Sequence, residues 1–196
     1  LGAGIWSAPT IDEKRKRIYV GTGNSYTGID VPTSDAILAF DLETGSLLWS
    51  AQVTPKDNWV PGCPKSAVCP ENPGDDFDFG SSPVLRTMRN GKDVLLAGQK
   101  SGTIYGLDPD NRGKVLWRTS LGVGAGMLGG IGWGLAAEAQ TVYVAVADYN
   151  KPNGSPGLYA ININDGSKIW STPAPKDAGN PAQASAVTAK IGRAHV

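Results

Sequence analysis

Histidine is all but missing from these 196 residues: the one copy is His195, next to the end. That absence removes a Ser-His-Asp or Cys-His catalytic group, and a histidine-ligated metal, from the rest of the sequence. Net charge is missing too, with 18 basic side chains against 18 acidic ones. Such a balance provides no electrostatic footprint for nucleic acid and no steering toward an anionic membrane. No run of ~18 apolar residues occurs, so no membrane span is expected. The sequence opens on Leu1 with neither Met nor signal peptide, and its last six residues, Ile191-Gly192-Arg193-Ala194-His195-Val196, read like one frame of a sequencing adapter. A truncated reading frame with a non-native tail at 191–196 is expected.

What remains is rich in turn formers and in core formers. There are 26 glycines and 14 prolines, yet 40% of residues are hydrophobic and six are Trp. This is the composition of a turn-rich globular chain rather than a disordered one. The two cysteines, Cys63 and Cys69, fall in a Pro/Gly-rich stretch. They are either two reduced thiols on a loop or a small disulfide stapling a long insertion in an oxidising compartment, and the disulfide is the favoured expectation. A zinc site is two ligands short.

An internal repeat governs the fold. Ala39-Phe40-Asp41-Leu42-Glu43-Thr44-Gly45-Ser46-Leu47-Leu48-Trp49 reads strand, tight turn, strand. Residues 160–170 restate it through Asn162, Gly166 and Trp170, and residues 106–117 do so with one extra residue through Asp108, Gly113 and Trp117. Asp or Asn followed by Gly is what a hairpin turn with positive φ demands. Two further β-like runs precede each copy: 5–11 and 18–22, 81–88 and 94–98, 131–136 and 141–147. Four short strands per unit, repeated, predict an all-β fold, a β-propeller built of four-stranded antiparallel blades. The expected blades are 5–53, 79–120 and 131–173, with the start of a fourth at 182–190. Trp49, Trp117 and Trp170 are expected to pack between blades. Three to four blades cannot close a ring, so residues 1–190 are expected to belong to a larger propeller and to be unstable alone.

The phrase Ala-x-Asp-x-x-Thr-Gly-x-x-x-Trp at 39–49 resembles the tryptophan-docking repeat of quinoprotein alcohol dehydrogenases, eight-bladed propellers that carry pyrroloquinoline quinone (PQQ). Cofactor-free scaffolds share that repeat, so departures from it carry the functional argument. Trp6 and the Asn24 of Gly21-Thr22-Gly23-Asn24 match, in spacing, the family's Trp beneath the quinone and its Asn on the active-site Ca²⁺. A flat indole suits stacking on a planar ring system, and a carboxamide oxygen suits a hard cation. Asp78, in Asp76-Phe77-Asp78-Phe79-Gly80, matches the family's catalytic Asp, which also neighbours the metal. The usual Thr-Pro-x-Asp-x-Trp phrase is present at 54–59 but Val60 follows it, so Asp57, Asp75 and Asp76 are rival bases; otherwise they form a solvated acidic loop. Lys100, in Gly98-Gln99-Lys100-Ser101-Gly102, matches the cation that donates to the quinone oxygens. The Cys63/Cys69 insertion and the Gln99-Lys100-Ser101-Gly102 turn look most like the polyvinyl-alcohol-dehydrogenase branch.

The resemblance implies oxidation of an alcohol, small or polymeric, by hydride transfer to Ca²⁺-bound PQQ, with electrons leaving to a cytochrome c in the periplasm. The competing expectation is a cofactor-free propeller scaffold for protein contacts, and a PQQ-type sugar dehydrogenase is a third. Other signals carry less. Gly124 to Gly129 fits G-x-G-x-x-G but cannot open a helix, so it reads as an interblade loop that could approach the quinone. Lys14 to Arg17 reads as a solvated hairpin turn. Trp133 reads as a packing residue. Asn150 falls where the first unit has Asn24.

Overall fold

A computed structural model describes residues 3–26, 29–63, 69–124, 129–148 and 152–174. Its elements are twelve strands: β1 (Thr10–Asp12), β2 (Arg17–Gly21), β3 (Ala36–Asp41), β4 (Leu47–Gln52), β5 (Val84–Thr87), β6 (Asp93–Gly98), β7 (Thr103–Asp108), β8 (Lys114–Ser120), β9 (Leu135–Glu138), β10 (Thr141–Val146), β11 (Gly157–Asn162) and β12 (Lys168–Pro173). They form three antiparallel meanders, β1-β2-β3-β4, β5-β6-β7-β8 and β9-β10-β11-β12. No helix among the described residues is long and apolar enough to cross a membrane. The expected fourth blade at 182–190 and the tail at 191–196 lie outside the described residues, as does Asn150.

The repeated phrase folds the same way three times. Asp41 Oδ1 accepts the backbone N–H groups of Glu43 and Thr44 at 3.1 and 2.8 Å. Asp108 Oδ1 does the same for Asp110 and Asn111, and Asn162 Oδ1 for Asn164. This side-chain-to-backbone turn is why Asp or Asn stands there. Each hairpin also carries a register shift at the same place, between Ala39/Phe40, Gly106/Leu107 and Ala160/Ile161. The turn glycines sit at positive φ, with Gly113 at 71° and Gly166 at 74°. A Cβ on Gly113 would stand 2.7 Å from the Trp49 ring, and one on Gly166 would stand 2.5 Å from Trp117. Each tryptophan therefore seats on the turn of the next sheet. Trp170 has no such seat in the described residues and is 42% exposed, and nothing lies within 4 Å of a Cβ on Gly45.

Period-two alternation builds the core. β6 lies in the middle sheet and is buried throughout. Val94 and Leu96 point into one cluster with Val142, Val144 and Ile161 of the third sheet. Leu95 and Ala97 point the other way, onto Tyr19, Ile37 and Trp49 of the first. A sheet that packs on both faces needs no polar side, which explains the unbroken apolar run in β6.

Two expectations are corrected. Residues 5–11 read as a strand, but only Thr10–Asp12 pairs; Pro9 has no N–H to donate, and the chain before it turns Trp6 toward a cleft. The basic run 14–17 is not simply a solvated turn. The Arg15 side chain is 8% exposed and bonds Asp12 at 2.9 Å, Asp93 at 2.8 Å and Asp110 at 2.7 Å, clamping the first sheet to the second. Although burial pushes Asp93 upward, bonds from Thr87, Arg15 and Lys14 outweigh it and hold its carboxyl down at about 2. Arg15→Met is expected to cost about 2 kcal/mol at pH 7 by leaving acids unpaired. Because the folded Asp93 binds its proton only at lower pH than the unfolded one, the parent's advantage should shrink as pH falls from about 4 toward 2. Urea denaturation at pH 7 and pH 3 checks this, and an equal gap at both pH values counts against it.

Candidate functional site

A cleft of ≈ 470 Å³ opens where the segments following β2, β4 and β6 meet, and Trp6, Asp76, Asp78, Lys100 and Trp133 line it. Its centre is a buried ion cluster. The Lys100 ammonium donates to Asp78 Oδ2 at 2.6 Å and to Asp76 Oδ2 at 3.0 Å. The same ammonium lies 5.3 Å from the centroid of the Trp6 ring. Burial pulls the Lys100 ammonium down, but the two aspartates outweigh it and hold its pKa above the ordinary value. It is a fixed positive charge at neutral pH.

The four residues singled out in the sequence come together here. Trp6 is 49% exposed and is not an interblade wedge. Its ring lies over Gly80, where a Cβ would come within 2.3 Å of it, so glycine is what lets the indole lie down on the backbone. Asn24 is fully buried beside the cluster. Its backbone N–H donates to Asp78 Oδ1 at 2.9 Å, and its Nδ2 donates to the Trp59 carbonyl. Its Oδ1 is buried and has no partner. Lys100 and Asp78 are joined twice, by the ion pair and by Lys100 N–H to Asp78 O at 3.0 Å.

The rival acids separate. Asp75 is exposed, while Asp57 and Asp76 are 2% and 1% exposed, so neither belongs to a solvated loop. Asp76 stands at φ 64°, a left-handed conformation that Asp adopts more readily than most residues. Burial and the charge of Asp78 push its carboxyl up against the pull of Lys100. Asp76 is thus the cluster's second carboxylate. Among the described residues, Asp57 is not in the cleft wall and bonds backbone N–H groups only.

Sequence reading passed over several contributors. Trp59 and Tyr26 also line the cleft. Trp133, expected to pack between blades, is 57% exposed and faces the cleft instead. Its signal was there: it precedes a first strand as Trp6 does. Of the glycine-rich stretch, Gly129 and Gly132 stand in the cleft wall. Asp148 ties that segment down by accepting from Val123 N at 2.6 Å and Gly130 N at 2.9 Å. Cys63 and Cys69 are joined as a disulfide within the insertion, with Cα atoms 5.5 Å apart.

Behind the cleft sits Asp35, fully buried at φ 46° with neither carboxyl oxygen hydrogen-bonded. Burial first, then the charges of Asp57, Asp78 and Asp76, raise it to about 9. Folded Asp35 therefore keeps a proton that the unfolded chain has lost, and stability should fall as pH rises from about 4 to 9. Asp35→Asn supplies a neutral group that tolerates the same φ. It is expected to stabilise the chain by about 2 kcal/mol at pH 8 and by almost nothing at pH 4, read from denaturation midpoints. A gain equal at both pH values argues against a protonated Asp35.

Two carboxyl groups, Asp76 and Asp78, thus meet one buried ammonium. An excess of buried negative charge together with an unpartnered carboxamide oxygen fits a hard cation. The described residues hold no group of three or more His, Cys, Asp or Glu side chains that could bind a metal ion, so the cation's set here would be partial. An indole face beside an ammonium fits a flat, anionic ring.

Comparison with known proteins gives a consistent picture. The family described as glucose/ethanol/alcohol dehydrogenase, beta-propeller domain matches residues 1–120. The family described as outer membrane protein assembly factor BamB matches residues 100–190. A polyvinylalcohol dehydrogenase of a Pseudomonas species is 45% identical over 199 residues, which is 97% of this chain and 31% of that protein. Its counterpart from Sphingopyxis sp. (strain 113P3) is 44% identical over 86% of this chain and 27% of its own length. The chain therefore spans 27–31% of the length of these two relatives. In structure it is similar to the quinohemoprotein alcohol dehydrogenase of Comamonas testosteroni, with TM-score 0.59 and 17% identity over 88% of this chain and 35% of that one.

Proposed function

The chain belongs to the PQQ (quinoprotein) alcohol dehydrogenase β-propeller family, and from that premise we propose that it supplies part of the active site of an enzyme oxidising a secondary alcohol, polyvinyl alcohol or a similar one. The observation that carries the reading is the convergence of Trp6, Asp78 and Lys100 on one cleft, with Asn24 bonded to Asp78. A cofactor-free scaffold would leave these four without a common task. The 44–45% identity to two polyvinylalcohol dehydrogenases supports the substrate class.

Each side chain then has a role that follows from its surroundings. Trp6 presents its face to the cofactor and fixes the ring plane. Asn24 would offer Oδ1 to Ca²⁺, since its Nδ2 is held by the Trp59 carbonyl and Oδ1 has no other partner. Asp78 would border the metal and take the alcohol proton on its carboxylate. Asn24 N–H and Lys100 hold that carboxylate in place. Lys100 adds positive charge where negative charge grows on the cofactor's oxygens. Bound PQQ with Ca²⁺ would supply the hydride acceptor and the Lewis acid. Asp76 shares the ammonium, and burial and the charge of Asp78 hold its carboxyl above the ordinary value.

We place the enzyme in the periplasm with a cytochrome c as electron acceptor; the disulfide supports an oxidising compartment. The experiment is to add PQQ and Ca²⁺ to the full-length apoprotein. Quinone absorbance and dye reduction with a secondary alcohol are expected, and no quinone binding at all would overturn the reading.

A further inference from the structure

Asp57 contributes nothing to the cleft wall, yet its carboxylate is buried and fully used. Oδ1 accepts Trp59 N–H at 3.2 Å and Asp76 N–H at 3.3 Å, and Oδ2 accepts Phe77 N–H at 2.7 Å. These donors come from opposite ends of the cysteine insertion. Asn58 N–H to Pro73 O at 2.9 Å adds a second tie between the same two arms. Gly74 leaves the room required: a Cβ there would stand 2.5 Å from Asp57 Oδ1.

We propose that Asp57 is the positioning residue of this site, one carboxylate that aims both the Asn24 carboxamide and the Asp76–Asp78 pair. The first line runs from Asp57 through the Trp59 backbone, whose carbonyl takes Asn24 Nδ2 and so leaves Asn24 Oδ1 as the unpartnered atom. The second runs through Asp76 and Phe77 N–H groups, which hold Asp76 at φ 64° and set both acids on Lys100. An ionised acceptor makes roughly twice the bond a neutral one does, and it has lone pairs for all three donors. An amide in its place offers Nδ2–H to a backbone N–H and loses at least one of them. The metal part of the inference rests on the function proposed above; the Lys100 part does not.

The test uses the full-length protein in two measurements. In the first, an amine-acylating reagent is applied and modification is read by mass spectrometry. Lys100 is 5% exposed and doubly ion-paired, so it should be protected in the parent, with Lys14, whose side chain is 72% exposed, as internal reference. Asp57→Asn is expected to raise Lys100 labelling about tenfold with Lys14 unchanged. Cys63→Ser/Cys69→Ser loosens the insertion without touching the three bonds, and should leave Lys100 protected while lowering the thermal midpoint. In the second, Ca²⁺ affinity is measured calorimetrically. Loss of an outer partner typically weakens a metal by ~10–100-fold, and Asp57→Asn should fall in that range while the cysteine variant stays within about twofold of the parent.

Unchanged Lys100 labelling in Asp57→Asn overturns the proposal, and so does equal exposure of Lys100 in the cysteine variant. If the parent takes no Ca²⁺, the metal reading falls and the labelling still decides the positioning role. Should Asp57→Asn yield no folded protein, Asp57→Glu is read on the same scale. It keeps the charge one methylene out of place, so intermediate labelling supports the role and parent-like labelling refutes it.

Discussion

Replacing Asp78 with asparagine is expected to lower kcat about a thousandfold while leaving quinone binding within a fewfold of the parent. A positioned base contributes ~10²–10⁴-fold, and an amide cannot take a proton, so the effect should fall on turnover. Binding should survive because the neighbours stay in place. Asn at 78 can still accept the Asn24 N–H with its carbonyl oxygen, in place of the 2.9 Å bond to Asp78. Lys100 keeps Asp76 at 3.0 Å, so one buried acid remains paired with the one ammonium. Bound-quinone absorbance and single-turnover reduction by a secondary alcohol would be measured side by side. Normal turnover would remove Asp78 from the chemistry. Equal loss of turnover and quinone would make it a structural residue instead. Because Asp76 shares the ammonium, Asp76→Asn is the matched comparison and should reduce turnover far less.

Lys100→Met is the change with the largest expected cost in stability. It removes the cation from two acids that are 1% and 3% exposed. Breaking a buried pair by deleting one partner costs about 3–5 kcal/mol, because the remaining charge stays buried and unpaired. Two such charges would remain here, and the carboxyl of Asp76 is already pushed upward by burial and by Asp78. Without the pull of Lys100, Asp76 would bind its proton in the folded chain at pH values where the unfolded chain has released it. The variant should therefore lose stability as pH rises above about 4, and its gap from the parent should be wide at pH 8 and narrow at pH 4. Urea denaturation at both pH values reads the sign. Adding Asp76→Asn to Lys100→Met should restore part of the loss, a coupling that independent sites do not show. A Lys100→Met chain as stable as the parent at pH 8 would mean that the two carboxylates are not held against each other as described.

Some of this was legible without coordinates, for a definite reason. A hairpin turn is a matter of four or five residues, so Asp41, Asp108 and Asn162 before Gly45, Gly113 and Gly166 announce it locally. The strand expected at 5–11 was mostly not there, because alternation alone does not say whether a partner strand lies alongside. Trp49 lies in a strand and Trp133 just before one, yet Trp49 seats on the next sheet's turn and is 4% exposed, while Trp133 faces the cleft at 57%.

From its sequence alone this protein has an all-β propeller architecture, a repeat length, and a short set of candidates in Trp6, Asn24, Asp78 and Lys100. These follow from turn chemistry and period-two patterning, which act over a few residues. Tertiary structure decided which charges are buried and which groups they meet. Lys100 finds its acids 22 and 24 residues away, Arg15 finds Asp93 across 78, and Asp57 finds the Phe77 N–H across 20. An aspartate in a written sequence is the same whether solvated like Asp75, bonded to backbone like Asp57, or protonated like Asp35. Only the desolvation and the neighbouring charges that folding imposes tell them apart.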